Sequence, residues 1–393
     1  MKFNYEKLGN LIEISEMKNS DLAVENLVGM NINKEFIPSV ANTIGTNLGR
    51  YKVIHKDQFA CNLMHVGRDK SVVVSKYPSE TPSIISPAYK IFQVKDKSII
   101  LPDFLMLYFL RAEFDRLGWF YTDSSIRGSL DWSKFCNIQI PIPDIDIQKK
   151  IVDIYQFFND RIELKEKINN NLENICFKLF KYYFKNLIPK KEYCIDSEID
   201  EIPKGWCIST VGDILECKLG GTPNRSNDSY WGGNISWINS GKVNDFRIVK
   251  PSEYITEEGL KNSATKLLPK KTTVIAITGA TLGQISLLEI DSCANQSVIG
   301  IIPNNNYPFE FVYPLISSIL FDLMKHQTGG AQQHINKNNL ESFKILCPPI
   351  HVIYNFKKIV SPLYSKISTN CFEIEELEKM RDILIPKLMS EEF

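Results

Sequence analysis

An internal repeat of about half the chain length is the feature that most constrains this fold. Residues 8–13 (Leu-Gly-Asn-Leu-Ile-Glu) resemble residues 211–216 (Val-Gly-Asp-Ile-Leu-Glu), which begin 203 positions later. The two copies also close alike, because residues 135–141 resemble residues 343–349, which begin 208 positions later. A repeat of this period predicts two related domains built on one plan, with a few inserted residues between them.

Each copy of the repeat ends in a helical pattern. After Pro143, apolar residues recur at spacings of three and four over about residues 146–186, and the same rhythm follows Pro349. This periodicity is typical of an amphipathic helix with a heptad-like stripe. Residues 146–186 would span about 60 Å at 1.5 Å per residue. One such helix could simply pack on a core, whereas two that each close a copy favour a mutual coiled coil.

Two prolines interrupt the second helical pattern. Pro362 predicts a kink or a late start of that helix, and Pro386 predicts a frayed end, because proline lacks the N–H that a helix interior requires.

The rest of each copy has the pattern of a globular domain. Strand-like runs such as 270–277 and 297–302 alternate with helical stretches such as 103–117 and 310–325. The predicted fold class is α+β, with two pseudo-repeated mixed α/β globular domains separated by two long helices and with mainly antiparallel sheets. The predicted divisions are a first domain at 1–143, a central long helix at 144–190, a linker with the second domain at 191–350, and a C-terminal long helix at 351–393.

Composition limits the class of protein. The 393 residues include 46 basic and 46 acidic side chains, so the net charge is zero and DNA binding by bulk charge is disfavoured, although local basic patches remain possible. No apolar run is long enough to span a bilayer, and the N-terminus lacks a signal-peptide pattern, so we expect a cytoplasmic protein. The nine cysteines show no C-x-x-C pair, which indicates reduced thiols and no structural metal site.

Searches for catalytic motifs are largely negative. The sequence has no phosphate-binding G-x-x-x-x-G-K-[ST] loop, no G-x-G-x-x-G, no G-x-S-x-G and no H-E-x-x-H. Asp144, Glu163 and Lys165 have the outline of a PD…ExK nuclease, but that chemistry needs its carboxylates on adjacent strands around Mg²⁺, and the last two residues fall in a helical pattern. Glu163 is expected to pair with Lys167 one turn later.

The second copy contains an ordered series of short phrases. They are Ile-Pro-Lys-Gly-Trp at 202–206, Gly-Thr-Pro at 221–223, Tyr-Trp-Gly-Gly-Asn-Ile-Ser-Trp at 230–237, Gly-Ala-Thr-Leu-Gly at 279–283, Asn-Gln at 295–296 and Gly-Ala-Gln-Gln-His-Ile-Asn at 330–336. The series resembles the target-recognition domains of Type I restriction-modification DNA specificity subunits over about residues 202–390. The first copy keeps Arg127-Gly128-Ser129 and the phrase at 138–143, but it lacks the Gly-Thr-Pro and Tyr-Trp-Gly-Gly phrases.

The resemblance implies a DNA-binding subunit without catalytic groups, acting in defence against foreign DNA. Each domain would read one half of a split target in double-stranded DNA, and antiparallel long helices would fix the gap and dock two methyltransferase subunits. Restriction motor-nuclease subunits would complete the enzyme. No cofactor is expected on this chain, because S-adenosylmethionine, ATP and Mg²⁺ belong to the partner subunits. A cryptic nuclease and a two-domain scaffold that binds no DNA are the alternatives.

Polar residues in the loops are the predicted DNA contacts, because Asn and Gln can grip adenine and Arg can grip guanine, while Lys and Arg also contact phosphate. In the first copy they are Asn47, Arg50, Asn62, His65, Arg68, Lys70 and Arg127, and in the second they are Arg225, Asn227, Asn239, Lys242, Gln332, Gln333, His334 and Asn336. Asn295-Gln296 could instead be an internal hydrogen-bonded brace. Trp206, Trp231 and Trp237 are expected in the core rather than on DNA bases.

Overall fold

The structure is a computed structural model, which describes residues 3–39, 45–122, 128–184, 202–325 and 334–390. It divides into two compact units. Unit 1 comprises Met1–Arg161 and Glu378–Phe393, and unit 2 comprises Ile162–Leu377. Each unit is therefore a globular part together with segments of both long helices. In the described residues, no helix is both long and apolar enough to cross a membrane.

Unit 1 begins with a series of short strands and helices. The strands are β1 Asn4–Lys7, β2 Ile12–Ile14, β3 Met17–Lys18, β4 Leu27–Met30, β5 Phe36–Pro38, β6 Lys52–Ile54, β7 Phe59–Asn62, β8 Val73–Lys76, β9 Ser83–Ile85, β10 Lys90–Val94 and β11 Gln139–Ile142. The helices are α1 Leu8–Leu11, α2 Val66–Asp69, α3 Pro102–Leu110, α4 Ala112–Phe120, α5 Trp132–Asn137 and the long α6 Ile145–Tyr183.

Three sheets organise unit 1. A four-stranded sheet has the order β2-β10-β7-β8, a five-stranded sheet has the order β3-β6-β9-β4-β5, and β1 pairs with β11. All these pairs are antiparallel except β4 with β9. The four-stranded sheet packs on an aromatic core in which Phe59 and Phe92 stack at 5.1 Å and Phe109 meets Phe59 edge-on at 5.7 Å.

Unit 2 repeats this plan. Its strands are β12 Cys207–Thr210, β13 Glu216–Leu219, β14 Trp231–Ile238, β15 Glu253–Ile255, β16 Thr273–Ala276, β17 Ile285–Leu287, β18 Cys293–Ala294, β19 Val298–Ile302 and β20 Lys344–Cys347. Its helices are α7 Val211–Ile214, α8 Glu257–Lys261, α9 Phe309–Lys325, α10 Lys337–Glu341 and the long α11 Ile350–Leu388.

Two sheets of unit 2 match those of unit 1 in topology, and the third has three strands where unit 1 has five. The four-stranded sheet has the order β13-β19-β16-β17, β12 pairs with β20, and a three-stranded sheet has the order β15-β14-β18. Here the parallel exception is β14 with β18. The predicted α+β class with mainly antiparallel pairing is confirmed, and the described strands of each unit fall into three sheets.

Equivalent backbone hydrogen bonds in the two units show which residues of the two copies correspond. The N–H of Leu8 donates to the carbonyl of Ile138 at 2.9 Å, and the N–H of Val211 donates to that of Phe343 at 3.1 Å. Residues 8 and 211 differ by 203, as the sequence indicates, but residues 138 and 343 differ by 205. The predicted offset of 208 at the end of the copies is therefore wrong. It arose because Phe135 resembles Phe343, whereas Ile138 occupies the equivalent position.

The two long helices have 39 residues each and run without interruption. The α11 helix begins at Ile350 and continues through Pro362, so a late start at that proline is wrong, and Pro386 lies within the last turn. Inside unit 2 the helices pack antiparallel, since Lys165 pairs with Glu373 and Asn169 with Asn370. Inside unit 1, Arg381 Nη1 donates to Asn159 Oδ1 at 2.8 Å.

A buried glutamine ties the first long helix to the globular part of unit 1. Gln148 is fully buried, its Oε1 accepts the N–H of Leu101 at 2.9 Å, and its Nε2 donates to the carbonyls of Ile99 and Pro143. Because every hydrogen-bonding group of the amide is used, its burial is compensated and the start of α6 is fixed in position.

A close contact between a helix and a sheet occurs in both units. In unit 1 the glycine is on the helix and the larger side chain is beside the sheet, and in unit 2 the two are exchanged. In unit 1, Gly118 of α4 lies against Val72, so that an added Cβ would come within 2.2 Å of Val72 Cγ2. In unit 2, Gly283 lies against Met324 of α9, where an added Cβ would come within 2.6 Å of Met324 Sδ. Val72 directly precedes Val73, the first paired residue of β8, and Gly283 lies two residues before Ile285, the first paired residue of the equivalent strand β17. Both therefore lie just before the edge strand of the four-stranded sheet.

Candidate nucleic-acid interface

Five loops of unit 2 meet at one end of its four-stranded sheet. The loops are 220–222, 239–242, 278–283, 295–297 and 334–336, and we call them the loop cluster of unit 2. Backbone hydrogen bonds join them: Gly221 donates to Ala294 at 2.8 Å, Asn295 to Ile238 at 2.9 Å, and Ile335 to Ile277 at 3.1 Å. Parts of four phrases that resemble specificity subunits, at 221–222, 279–283, 295–296 and 334–336, are therefore gathered at one sheet end.

Asparagines hold the turns in and around this cluster. The Oδ1 of Asn239 accepts the N–H of Lys242 at 3.1 Å, and that of Asn336 accepts the N–H of Asn338 at 3.0 Å. Asn227 caps its own turn through the N–H of Ser229 at 3.1 Å. One acceptor position of each side chain is therefore used within the protein, and the Nδ2 group is the part best placed to donate to a ligand.

Arg225 is held in a clamp. Its guanidinium makes two hydrogen bonds with the Glu253 carboxylate, at 2.6 and 2.8 Å, and lies 3.6 Å from the ring centroid of Trp231. This pairing raises the pKa of Arg225 and lowers the pKa of Glu253. Planar stacking with bidentate pairing fixes the direction of the arginine, which remains half exposed. The sequence analysis missed Glu253, because no local pattern links it to a residue 28 positions earlier.

The remaining residues of the second copy have mixed settings. Lys242 pairs with Asp245 at 2.6 Å, and the side chain of His334 is exposed. Gln332 and Gln333 lie outside the described residues. Gln296 accepts a hydrogen bond from the Thr222 hydroxyl at 2.5 Å, which fits the bracing interpretation of the Asn295-Gln296 phrase.

The tryptophans of the second copy divide between the core and its margin. Trp237 is only 2% exposed and donates its Nε1 hydrogen to the carbonyl of Gly221 at 3.1 Å. Trp206 and Trp231 are half-buried and pack against core clusters. The predicted core placement therefore holds fully for Trp237, whereas Trp231 also supports Arg225.

Unit 1 forms an equivalent cluster around α2, which lies between β7 and β8. The N–H of Gly67 donates to the carbonyl of Gly128 at 2.7 Å, and an added Cβ on Gly67 would come within 2.7 Å of Gly128 Cα. Leu130 donates to Leu63 at 2.9 Å, as Ile335 does to Ile277 in unit 2. Arg127 itself lies outside the described residues.

Four predicted contacts lie on or beside α2. Asn62 Oδ1 accepts the N–H of Met64 at 3.0 Å, and His65 directly precedes the helix. Arg68 pairs with Asp69 through two hydrogen bonds, at 2.7 and 3.0 Å. Lys70 ends the helix in a left-handed conformation, with φ of 51°.

Asn47 and Arg50 belong to a different part of unit 1. They flank and end a short 3₁₀ turn, Leu48–Arg50, in which Asn47 caps the N–H of Gly49 at 3.0 Å. The next residue, Tyr51, accepts the N–H of Asn19 at 2.9 Å beside the five-stranded sheet. The structure therefore places these two residues apart from α2 in the fold.

The nuclease outline does not form a metal site. Glu163 pairs with Lys167 at 2.5 Å on the surface of α6, as expected, and Lys165 pairs with Glu373. Neither lies on a strand. Within the described ranges, no group of three His, Cys, Asp or Glu side chains could hold a metal ion.

Two buried thiols are poorly suited to chemistry. Burial raises the pKa of Cys61 and of Cys176 to about 12. A thiol with so high a pKa is protonated at neutral pH and is a poor nucleophile or metal ligand.

Comparison with known proteins identifies the family. The sequence profile of the Type I restriction modification DNA specificity domain matches twice, at residues 7–174 and 203–379. The chain is 29% identical over 267 residues to the Type I restriction enzyme MjaIX specificity subunit of Methanocaldococcus jannaschii, a match that covers 66% of this chain and 62% of that protein. It is 24% identical over 375 residues to the HindI specificity subunit of Haemophilus influenzae, covering 79% of this chain and 81% of that protein.

A solved structure supports the fold. The crystal structure of the S subunit of a Type I restriction-modification system from M. genitalium superposes with a TM-score of 0.55 at 16% identity, covering 99% of this chain and 96% of that one. The two profile matches correspond to the two copies of the repeat and together take in most of the sequence. The chain belongs to the Type I restriction-modification DNA specificity family.

Proposed function

We propose that this chain is the subunit that reads a split DNA target, with one half-site for each unit. The observation that carries the proposal is the shared sheet end. In both units, donor-bearing side chains gather at the end of the equivalent strands β7 and β16. Lys70 lies in the segment that follows β7, and Asn336 directly follows Ile335, whose N–H donates to the carbonyl of Ile277 just after β16. Loops on a rigid sheet can present such groups to a groove in a fixed register.

The residues predicted from the sequence divide by what they can do. Arg68, Arg225 and Lys242 are cations with an acid partner nearby, so they suit phosphate contacts in which DNA displaces or shares that acid. Asn62, Asn239 and Asn336 each keep an Nδ2 donor for a base edge while Oδ1 holds the turn.

The partners follow from the family. We infer that two methyltransferase subunits and the restriction motor-nuclease subunits assemble with this chain and supply S-adenosylmethionine, ATP and Mg²⁺ chemistry. Exposed apolar side chains on the long helices support a protein-binding surface. Within unit 1, Phe157, Met380 and Ile383 are 59%, 55% and 59% exposed. Apolar groups left open to this extent on ordered helices commonly mark a protein interface.

Methylation mapping tests the proposal directly. The chain would be co-expressed with the methyltransferase encoded beside it, and genomic DNA would be read by long-read sequencing. We expect methylated adenines in one split motif. Exchanging residues 205–350 for the same region of a relative should change one half of the motif and leave the other. No methylation from a complex that has assembled would contradict a reading function.

A salt titration distinguishes DNA reading from the scaffold alternative. Binding through phosphate contacts weakens steeply as salt is raised, because bound counterions are released from DNA. We therefore expect a clearly negative slope when the logarithm of the association constant for the mapped duplex is plotted against the logarithm of the salt concentration. Absent or salt-insensitive binding would favour a scaffold that contacts no DNA.

A further inference from the structure

Three consecutive aromatic side chains at the end of α4 are exposed to solvent. Trp119 is 47% exposed, Phe120 is 78% exposed and Tyr121 is 39% exposed. We call these three residues the aromatic patch. Single exposed apolar residues are ordinary, but neighbouring large aromatic rings on an ordered helix indicate a binding surface.

The backbone beneath the aromatic patch is firmly held. Gly118 packs so closely on Val72 that no larger residue fits without a shift. The hydroxyl of Thr122 donates to the Trp119 carbonyl at 2.7 Å, and Lys134 Nζ donates to the Tyr121 carbonyl at 3.1 Å. Rings presented on such a fixed backbone lose little conformational entropy when a partner binds.

Cations flank the patch, which favours an anionic partner. Lys70, at the end of α2, places its Nζ 5.2 Å from the Trp119 ring centroid. Three nearby carboxylates are paired with a cation: Asp69 with Arg68, Glu113 with Arg116, and Asp115 with Lys34. A fourth, Asp131, accepts two hydrogen bonds from Ser133 and interacts electrostatically with Lys134. Among the described residues, Lys70 has no carboxylate within ion-pair distance, so its positive charge is left for a ligand, whereas Lys134 shares its charge with the nearby Asp131.

The patch is also continuous with the candidate interface of unit 1. Lys70 is one of the predicted DNA contacts, and it closes the same α2 helix that Asn62 and His65 precede. A surface that combines rigid aromatic rings with flanking lysines on this side fits a nucleic acid better than an apolar protein face, because phosphates take up the charge while rings contact sugars and bases.

We propose that the aromatic patch is part of the DNA-binding surface of the first half-site. Phe120 and Trp119 pack against sugars or base edges, and Lys70 and Lys134 contact the neighbouring phosphates. This inference rests on the proposed DNA-reading function and adds Trp119, Phe120 and Lys134 to its contact residues. Unlike the polar loop residues, these side chains contribute through apolar contact, so the aromatic contribution depends little on salt.

The test uses the full chain assembled with its methyltransferase and a duplex that carries the split target found by methylation mapping. Phe120→Ala and Trp119→Ala should each weaken binding about tenfold, a loss of the size that truncating an aromatic anchor at an interface commonly causes. Both variants should show the same dependence of affinity on salt concentration as the native chain, whereas Lys70→Ala should show a weaker dependence because it loses a phosphate contact. Tyr5→Ala, which removes a 55% exposed ring from β1 of the same unit, is the matched control and should bind DNA as the native chain does.

The possible results separate the two proposals. If the native complex binds the duplex and the Phe120 and Trp119 variants bind equally well, the patch makes no DNA contact and this inference is wrong, although the reading function stands. If the variants lose the methyltransferase on gel filtration, the patch is a protein surface, and the inference is again wrong. If the native complex does not bind the duplex, the proposed function fails with it. Circular dichroism melting of each variant excludes unfolding as the cause.

Discussion

Asn169 of α6 and Asn370 of α11 hydrogen-bond to one another inside unit 2, with Asn370 Nδ2 donating to Asn169 Oδ1 at 2.8 Å. The residues are 2% and 1% exposed, so a polar pair interrupts the apolar seam between the helices. Asn169 Nδ2 also donates to Cys371 Sγ at 3.4 Å. A buried asparagine in a helical seam stabilises one register, since a shifted register would leave its amide without a partner.

The asparagine pair predicts an unusual order of stabilities. Asn370→Ala should lower the free energy of unfolding by about 1–3 kcal/mol, because it leaves the Asn169 amide buried without its partner. Asn169→Leu combined with Asn370→Leu should be at least as stable as the native chain, since it replaces a buried polar pair by apolar contact.

Urea unfolding followed by circular dichroism measures both stabilities, and gel filtration with light scattering reports whether the double variant forms mixed oligomers. A double variant less stable than Asn370→Ala would contradict the interpretation that this pair specifies the register of the two helices and adds little to stability.

A second prediction concerns the fully buried Arg247. Its Nη2 donates to Glu173 Oε1 at 2.8 Å, and the Tyr313 hydroxyl donates to the same oxygen at 3.1 Å. Glu173→Ala should cost about 3–5 kcal/mol, because the guanidinium would stay buried without a counter-charge. The exposed Glu163–Lys167 pair is the matched control on the same helix, and Glu163→Ala should change stability by about 0.5 kcal/mol or less.

Thermal and urea unfolding of Glu173→Ala and Glu163→Ala test this prediction. Equal losses of unfolding free energy would show that burial of the ion pair does not determine the cost of breaking it. Glu163→Ala has a further use. The nuclease alternative requires this residue, so unchanged DNA cleavage by complexes that carry the variant is expected.

The junction between Gly118 and Val72 makes a third prediction. Gly118→Ala forces a Cβ to within 2.2 Å of Val72 Cγ2 and should destabilise the chain by about 1–3 kcal/mol. Val72→Ala in the same chain should recover part of that loss, since it removes the clashing methyl groups. Gly29→Ala is the control, because nothing lies within 4 Å of the Cβ it adds. Melting curves that show equal losses for the two glycine variants would contradict the packing explanation.

The sequence predicted the architecture well because the repeat shows as matching short phrases and the heptad-like stripe is a local pattern. It misaligned the ends of the copies by three residues, since similarity of Phe135 and Phe343 outweighed a strand register that only pairing reveals. The parallel pairs of β4 with β9 and of β14 with β18 join segments far apart in the chain, so no local period could predict them.

The candidate site was harder to predict than the fold. An asparagine at the start of a turn suits both a cap and a base contact, and residue type alone does not separate the two roles. The clamp of Arg225 by Glu253 and the exposure of Trp119–Tyr121 depend on tertiary packing. A run of aromatic residues in an amphipathic stretch otherwise predicts a buried helix face.

The last prediction separates capping from DNA contact at Asn336. This residue caps α10, and Asp131 caps the equivalent α5 in unit 1 by accepting the N–H of Ser133 at 2.7 Å. Asn336→Asp should therefore keep the cap and the melting temperature, while an anionic oxygen replaces the Nδ2 donor. If that donor contacts DNA, the affinity for the mapped duplex should fall about tenfold, the loss of a good base contact. Asn336→Ala should instead lose about 1 kcal/mol of stability through the cap. Anisotropy titrations measure the DNA affinity of both variants, and melting curves measure their stability. Asp131→Asn, which makes the reverse exchange at the cap of α5, is the control. Native affinity in Asn336→Asp would leave Asn336 as a cap alone, because the donor would then have no role in binding.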